Sequence, residues 1–441
     1  MHKNKDYKII ILLFALFILF LTLNNLSPSL FWDENAYLGN ARSHISQSRF
    51  TEDYRFPLLE YILALAWKLT GESIFTARLI MILFTLATIH LFYLITKHHL
   101  TNHYLIFTLL FGLSPLFLKW SFRIYTDIPS MFFILLSYYL ILKKNIFLAG
   151  IFSALAFLSR FPSALFPLTI GIYLLYNKKP KDLLLFSAGF AIALFPWLLY
   201  NQLTYSNPIW DLQNQYNIIS TYTSSEPLSK HLTNISGTLG LFAILSLLGI
   251  IITLKNKKYF IPNLYTLLSI IYYSSFVNLK LERYLIMILP FIYLTAFTGF
   301  QLTTKNIKNK KVITLLLCLI TIYLGIFSIK SITQTLENTD CSRNSSILQS
   351  VNYMASKNLS HEIIITNIFP YIGYHINLES YHIWTENIQA LLIRYHPAYF
   401  IHSNHDGTYF NRTILDNERY LRLEQRFKDN CNAEVSVYKV V

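Results

Sequence analysis

The feature that most constrains this chain is the recurrence, through its first three quarters, of apolar runs of roughly 15 to 20 residues. A helix needs about 20 such residues to cross some 30 Å of hydrocarbon, so each run is close to one membrane span. The runs fall near residues 8 to 26, 74 to 96, 103 to 120, 127 to 142, 145 to 159, 163 to 177, 182 to 200, 236 to 254, 259 to 277, 284 to 302 and 312 to 330. They predict about eleven transmembrane helices. The stretch from Pro57 to Leu69 is apolar but too short to span, and reads as an interfacial helix packed on the bundle. With 54% hydrophobic and 14% charged residues, the chain is too apolar for a soluble protein of its length. The expected fold is an all-α polytopic membrane bundle over 1–334, with a first outer loop at 27–73 carrying interfacial helices.

Charge supplies the orientation. Lysines cluster at Lys3/Lys5/Lys8, Lys97, Lys143/Lys144, Lys178/Lys179/Lys181, Lys255/Lys257/Lys258 and Lys305/Lys308/Lys310/Lys311, in connectors that alternate with ones lacking such clusters. Basic connectors stay cytoplasmic, so the N-terminus is expected inside and the C-terminal region outside. A cleaved signal peptide is the other reading of the first span, but its apolar core is long and shows no small-residue cleavage site. The net charge of +14 does not point to nucleic acid, because the lysines are divided among short loops rather than forming a stripe. The outer side instead carries arginines, at Arg42, Arg49, Arg55, Arg78, Arg123, Arg160 and Arg283. That asymmetry asks for an anionic partner there, and the planar guanidinium binds two phosphate oxygens at once.

From 335 to 441 charge rises and apolar runs shorten to strand length. "EIIIT", "PAYFIHS" and "AEVSVYKV" read as strands, and 343–358 and 416–430 as helices, which predicts a small extracytoplasmic α/β domain. Its His375, His382, His396, His402 and His405 are irregularly spaced, match no metal motif, and read as surface or loop residues. Cys341 and Cys431 lie near the two ends of this region, where an oxidising compartment would allow a bridge, whereas Cys318 falls inside a span. N-x-S/T triplets at Asn234, Asn344, Asn358 and Asn411 all fall outside in this topology.

Two adjacent acids, Asp33 and Glu34 in "FWDENAYLGNAR", follow directly on the first span. A carboxylate at the membrane edge usually faces a wet cavity or a cation, although acids also cap helix N-termini. One cap explains one acid, and the neighbourhood holds more: Trp32, then Tyr37 and Arg42, then "DYRFPLLEY". A further acid, Asp127, opens a span just before Pro129, where it would serve as an N-cap or as part of a site.

The order of a span, "WDENAY", an amphipathic loop, "RFPLLEYILALAWKLTGESIFTARL" and a second span resembles the GT-C superfamily of membrane glycosyltransferases. The protein O-mannosyltransferase-like and aminoarabinose-transferase-like families come nearest. "IYTDIPSMFF", "FLSRFPSALFPL" and "LERYLIMILP" continue the agreement, which covers about residues 8 to 300. The resemblance implies an inverting transfer of a sugar from a polyprenyl (dolichyl-type) monophosphate to an acceptor hydroxyl on the outer face, of the hexosyl or mannosyl type. The acceptor would be a protein, lipid or glycan. Asp33 would be the general base, Glu34 would orient the site or bind the acceptor, and Asp127 would be the second acid. Arg55, Arg160 and Arg283 would hold the donor phosphate, with Tyr37, Arg42, Glu60 and Tyr284 as weaker candidates for acceptor or sugar. Arg283 also admits pairing with Glu282, and Arg42 and Arg49 admit interfacial snorkelling.

Relatives often carry His-Pro-Pro or Glu-Lys-Pro in the first loop, linked to metal or phosphate; Arg55-Phe56-Pro57 stands here instead. That departure argues against a required cofactor, leaves a divalent metal only as the lesser alternative, and leaves Arg55 as a phosphate ligand. The missing "WWDYG"-type signature argues against transfer of a preassembled glycan to Asn. Two other classes stay open: a transporter or flippase of a lipid-linked saccharide, and a non-catalytic glycan-binding membrane protein. A transporter would more naturally show paired halves and helices broken near mid-bilayer, and no such repeat stands out.

Overall fold

The computed structural model describes residues 6–27, 29–46, 48–221, 227–278, 280–305, 307, 309–340, 344–357, 359, 362–383, 387–404, 412–429 and 433–441. Helices dominate, with a small sheet confined to the C-terminal region. The chain divides into two compact units, one made of 1–24, 54–59 and 78–332, the other of 25–53, 60–77 and 333–441.

In the first unit, the helices follow the apolar runs. Tyr7–Leu26, Ile74–His99, Pro180–Tyr205, Glu282–Thr304 and Lys311–Thr333 are long and apolar enough to cross a membrane, and Asp127–Leu142, Ile146–Ser159 and Phe161–Tyr176 are shorter apolar helices. Two expected spans are interrupted. The run at 103–120 breaks into Tyr104–Gly112 and Pro115–Trp120, because Pro115 holds Ser114 in an extended conformation (ψ 141°) that no helix can continue. The run at 236–254 becomes Leu228–Leu239 and Leu241–Thr253, bent by 99° at Gly240. Gly240 has φ +50°, and a Cβ there would land on the Tyr323 hydroxyl.

Small residues let these helices approach closely without any hydrophobic drive between them. A Cβ on Gly150 would land on the carbonyl oxygen of Phe186, and one on Gly189 on that of Phe147. Gly249 meets Thr295 and Gly299 in the same manner. Side chains then join the backbones across such contacts: the Ser137 hydroxyl donates to the Ala149 carbonyl at 2.7 Å, and Ser246 and Thr295 share a hydrogen bond at 2.6 Å.

In the second unit, strands β1 (Ile364–Thr366), β2 (Ser380–His382), β3 (Tyr399–Ser403), β4 (Leu421–Lys428) and β5 (Glu434–Val440) form one sheet in the order β2-β1-β3-β5-β4. β1 is parallel to β2 and β3, while β5 runs antiparallel to β3 and β4. Ile347, Val351, Met354 and Ile372 cover one face, and Ile388, Leu391 and Leu415 the other. The expected helix over 416–430 is replaced by a short helix, Arg412–Asp416, and by β4. "LRLEQRFK" is rich in good helix formers, and pairing with β5, across a register shift between Leu423 and Gln425, decides the outcome. The helix expected over 343–358 is present as Asn344–Ser356.

Helix Leu58–Thr70 realises the short apolar stretch expected within the first loop. Leu59, Leu63 and Trp67 form its buried face, whereas Tyr61, Leu65 and Leu69 are exposed apolar side chains.

Candidate functional site

In the second unit the acidic pair lies at the start of helix Trp32–Ser43, and the two carboxylates behave differently. Glu34 is fully buried, and its Oε2 accepts the Phe31 backbone N–H at 2.8 Å, so it is the acid that caps the helix. Asp33 keeps part of its surface. The helix is seated by Phe50, whose ring fills the space a Cβ would take on either Gly39 or Gly373, the latter on helix Phe369–Ile376. Trp32 packs edge-on against Phe369 (5.0 Å), Tyr371 and His382.

Other predicted site residues of this unit are held by its own framework. Arg42 donates through Nε to both Glu72 oxygens at 3.0 and 2.9 Å, reaches the Tyr374 carbonyl through Nη1, and lies 4.6 Å from the Tyr374 ring centroid. A guanidinium so engaged ties helix Trp32–Ser43 to Glu72 and to helix Phe369–Ile376. Glu60 is buried and accepts from Asn40 Nδ2 at 2.6 Å, while Asn40 also exchanges two hydrogen bonds with the Glu52 backbone. Tyr37 is buried within its own helix, and exposed Arg49 donates its backbone N–H to Asn377.

The first unit gathers Asp127, Arg160, Arg283 and Tyr284. Asp127 is the first residue of helix Asp127–Leu142 and is completely buried. It is not a cap, because neither carboxylate oxygen accepts a hydrogen bond. Arg160 Nε stands 3.3 Å from Asp127 Oδ1, too poorly aligned for a hydrogen bond, while Nη1 donates weakly to Thr126 at 3.4 Å. Arg160 takes its place where helix Ile146–Ser159 ends and the chain turns extended (φ −159°) before Pro162. Its guanidinium lies 5.4 Å from the Tyr284 ring centroid, and Arg283 lies 6.0 Å from the same ring and 4.9 Å from that of Tyr125. Two cations therefore lie beside one aromatic ring, and one of them faces a buried acid.

Neighbouring charges are allotted elsewhere. Glu282 pairs with Lys119. Lys280 donates to the carbonyls of Tyr273 (2.9 Å), Ser274 (2.8 Å) and Val277, closing the C-terminus of helix Phe260–Ser275. Arg55 precedes Phe56, which packs on Phe157 (5.4 Å), Phe161 (6.5 Å) and Trp197 (5.8 Å) and so carries the Arg55 segment to the turn that presents Arg160. Sequence reading singled out Arg55, Asp127, Arg160, Arg283 and Tyr284. It missed Lys119, Lys280, Phe50 and Tyr273, which no motif marks; Lys119 and Phe50 matter through contacts distant in sequence, and Lys280 by closing the helix just before it.

The amide of Asn234, which opens one of the N-x-S/T triplets, donates to the Lys280 carbonyl at 2.6 Å from within helix Leu228–Leu239. Cys341 and Cys431, the expected bridge, lie outside the described residues, as do Asn358, Asn411 and His405. Of the remaining histidines, His375 and His396 are exposed as expected, but His402 is buried in β3 and His382 is half-buried at the end of β2. Among the described residues no three His, Cys, Asp or Glu side chains converge as metal ligands.

Residues 55–200, which include Arg55, Asp127 and Arg160, match the family model of dolichyl-phosphate-mannose-protein mannosyltransferases. No curated protein matches the chain in sequence. Among solved structures it is similar to ArnT from Cupriavidus metallidurans bound to undecaprenyl phosphate, with a TM-score of 0.71 at 11% identity over 98% of both chains. The apo state of the same protein matches with a TM-score of 0.69 at 12% identity over 97% of both. Over nearly its whole length the chain thus carries the GT-C membrane fold expected from its motifs.

Proposed function

We propose that this integral membrane protein transfers a sugar from a polyprenyl monophosphate to an acceptor hydroxyl on the extracytoplasmic face, with inversion at the anomeric carbon. The observation that carries this reading is the placement of Arg160 and Arg283 around Tyr284, with Arg55 brought to the same turn by Phe56. This basic group belongs to a fold shared with a protein solved with undecaprenyl phosphate bound. The arginines hold the lipid phosphate and stabilise the charge that grows on it as the bond from the anomeric carbon to the phosphate oxygen breaks. The acceptor oxygen forms the new bond to that carbon, Asp33 takes its proton, and the polyprenyl phosphate leaves with the electron pair. Glu34, buried as the helix cap, fixes the orientation of Asp33. The N-terminus lies in the cytoplasm and the C-terminal unit outside, as the lysine pattern requires.

Purified protein incubated with polyprenyl phosphates bearing different sugars tests the proposal: one of them should be consumed in the presence of acceptor. Asp33→Asn should then lower turnover by about 10² to 10⁴ while the lipid still binds. Full turnover in that variant removes Asp33 as base. A protein that moves the lipid-linked sugar across vesicle bilayers without consuming it is a flippase.

A further inference from the structure

We infer that Asp127 and Tyr273 bind hydroxyl groups of the sugar carried by the donor lipid, and so take part in choosing which sugar is transferred. The inference rests on the donor reading above, and begins from two buried polar side chains that make no hydrogen bond within the protein: Asp127, whose charge faces Arg160, and Tyr273. Asp127 is completely buried and both its oxygens lack a hydrogen-bond donor, and Tyr273, only 2% exposed, has a hydroxyl with no partner. Buried polar atoms of this kind are few in folded proteins, and each costs free energy until something pairs with it.

The two groups belong to one cluster. The Tyr273 ring stacks on Tyr284 at 5.2 Å, Arg160 lies 5.4 Å over that same ring, and Arg160 Nε is 3.3 Å from Asp127. Tyr273 is held in place by its own backbone, since Lys280 donates to its carbonyl and to those of Ser274 and Val277. Charge decides which part of a ligand each residue can take. A phosphate is drawn to Arg160 and Arg283 and repelled by Asp127. The carboxylate accepts only, so it suits O–H donors, and a phenol hydroxyl both donates and accepts. Two guanidiniums beside an acceptor-only carboxylate and an amphoteric hydroxyl complement an anionic phosphate joined to a hydroxyl-rich neutral ring, which is a sugar phosphate. A bare lipid phosphate would leave Asp127 and Tyr273 as they are.

Binding of bare polyprenyl phosphate and of its mannose-, glucose- and arabinose-bearing forms is measured for wild type and for Tyr273→Phe. That variant keeps the stacked ring and removes only an unpartnered hydroxyl, so its melting temperature should not fall. Wild type should bind at least one sugar-bearing lipid about tenfold more tightly than the bare lipid, and Tyr273→Phe should erase most of that preference with bare-lipid affinity unchanged. Asp127→Asn should change the order of preference among the sugars. Equal wild-type affinity for all four lipids, an unchanged preference in Tyr273→Phe, or an equal loss for bare and sugar-bearing lipids overturns the inference while leaving the donor reading intact. Failure of wild type to bind any of them overturns both.

Discussion

Glu34 and Asp127 are both acids at the start of a helix, and the structure gives them opposite duties. Glu34 accepts a backbone N–H, whereas Asp127 accepts none and faces a guanidinium. Glu34→Ala should therefore cost about 1 kcal/mol of stability in the second unit, measurable by denaturant unfolding. Arg160→Lys should weaken binding of bare polyprenyl phosphate nearly as much as Arg160→Ala, roughly tenfold or more, because an ammonium cannot reproduce a bidentate fork; equal affinity in the lysine variant would remove the fork from the account. His402 titrates below its ordinary range, at about 4, because burial disfavours its charged form. Between about pH 6.5 and 4 the unfolded chain binds a proton that the folded unit does not, so stability falls as pH drops through that window. The loss should approach 2–3 kcal/mol and should be blunted in His402→Phe, read from unfolding at pH 7 and pH 4.5.

At the scale of elements, close approach is the recurring device. Phe50 between Gly39 and Gly373 holds the Asp33 helix against helix Phe369–Ile376, so the acid depends on a side chain 17 positions away and on a glycine in the C-terminal region. Gly373→Val should displace Phe50 and lower turnover by at least tenfold while binding of bare polyprenyl phosphate stays within twofold of wild type, since the arginines belong to the other unit. Loss of both together would show that the two units fail as one. Gly249→Leu meets backbone at Thr295 and Gly299, which cannot yield as a side-chain tip can, and should abolish folded protein in detergent rather than reduce activity selectively. β4 marks the limit of local propensity: its residues are good helix formers, and pairing with β5 makes them a strand.

For the whole molecule, the apolar runs and the strands "EIIIT", "PAYFIHS" and "AEVSVYKV" were legible because hydropathy and period are properties of consecutive residues. The breaks at Ser114 and Gly240 were not, although Pro115 and Gly240 themselves were in view, because an apolar run reads the same whether or not its helix continues. Motif order was enough to point to the GT-C fold. What the sequence by itself determined is therefore which segments are helical and apolar, and which acids and arginines stand at their ends. Only the tertiary structure decided that Glu34 is the cap, that Arg42 is bound to Glu72, that Tyr273 joins Asp127 and Arg160, and that residues 25–53 and 60–77 cluster with 333–441. Hydropathy is fixed by neighbours along the chain, whereas the partner of a buried polar group is fixed by packing between segments that may be hundreds of residues apart.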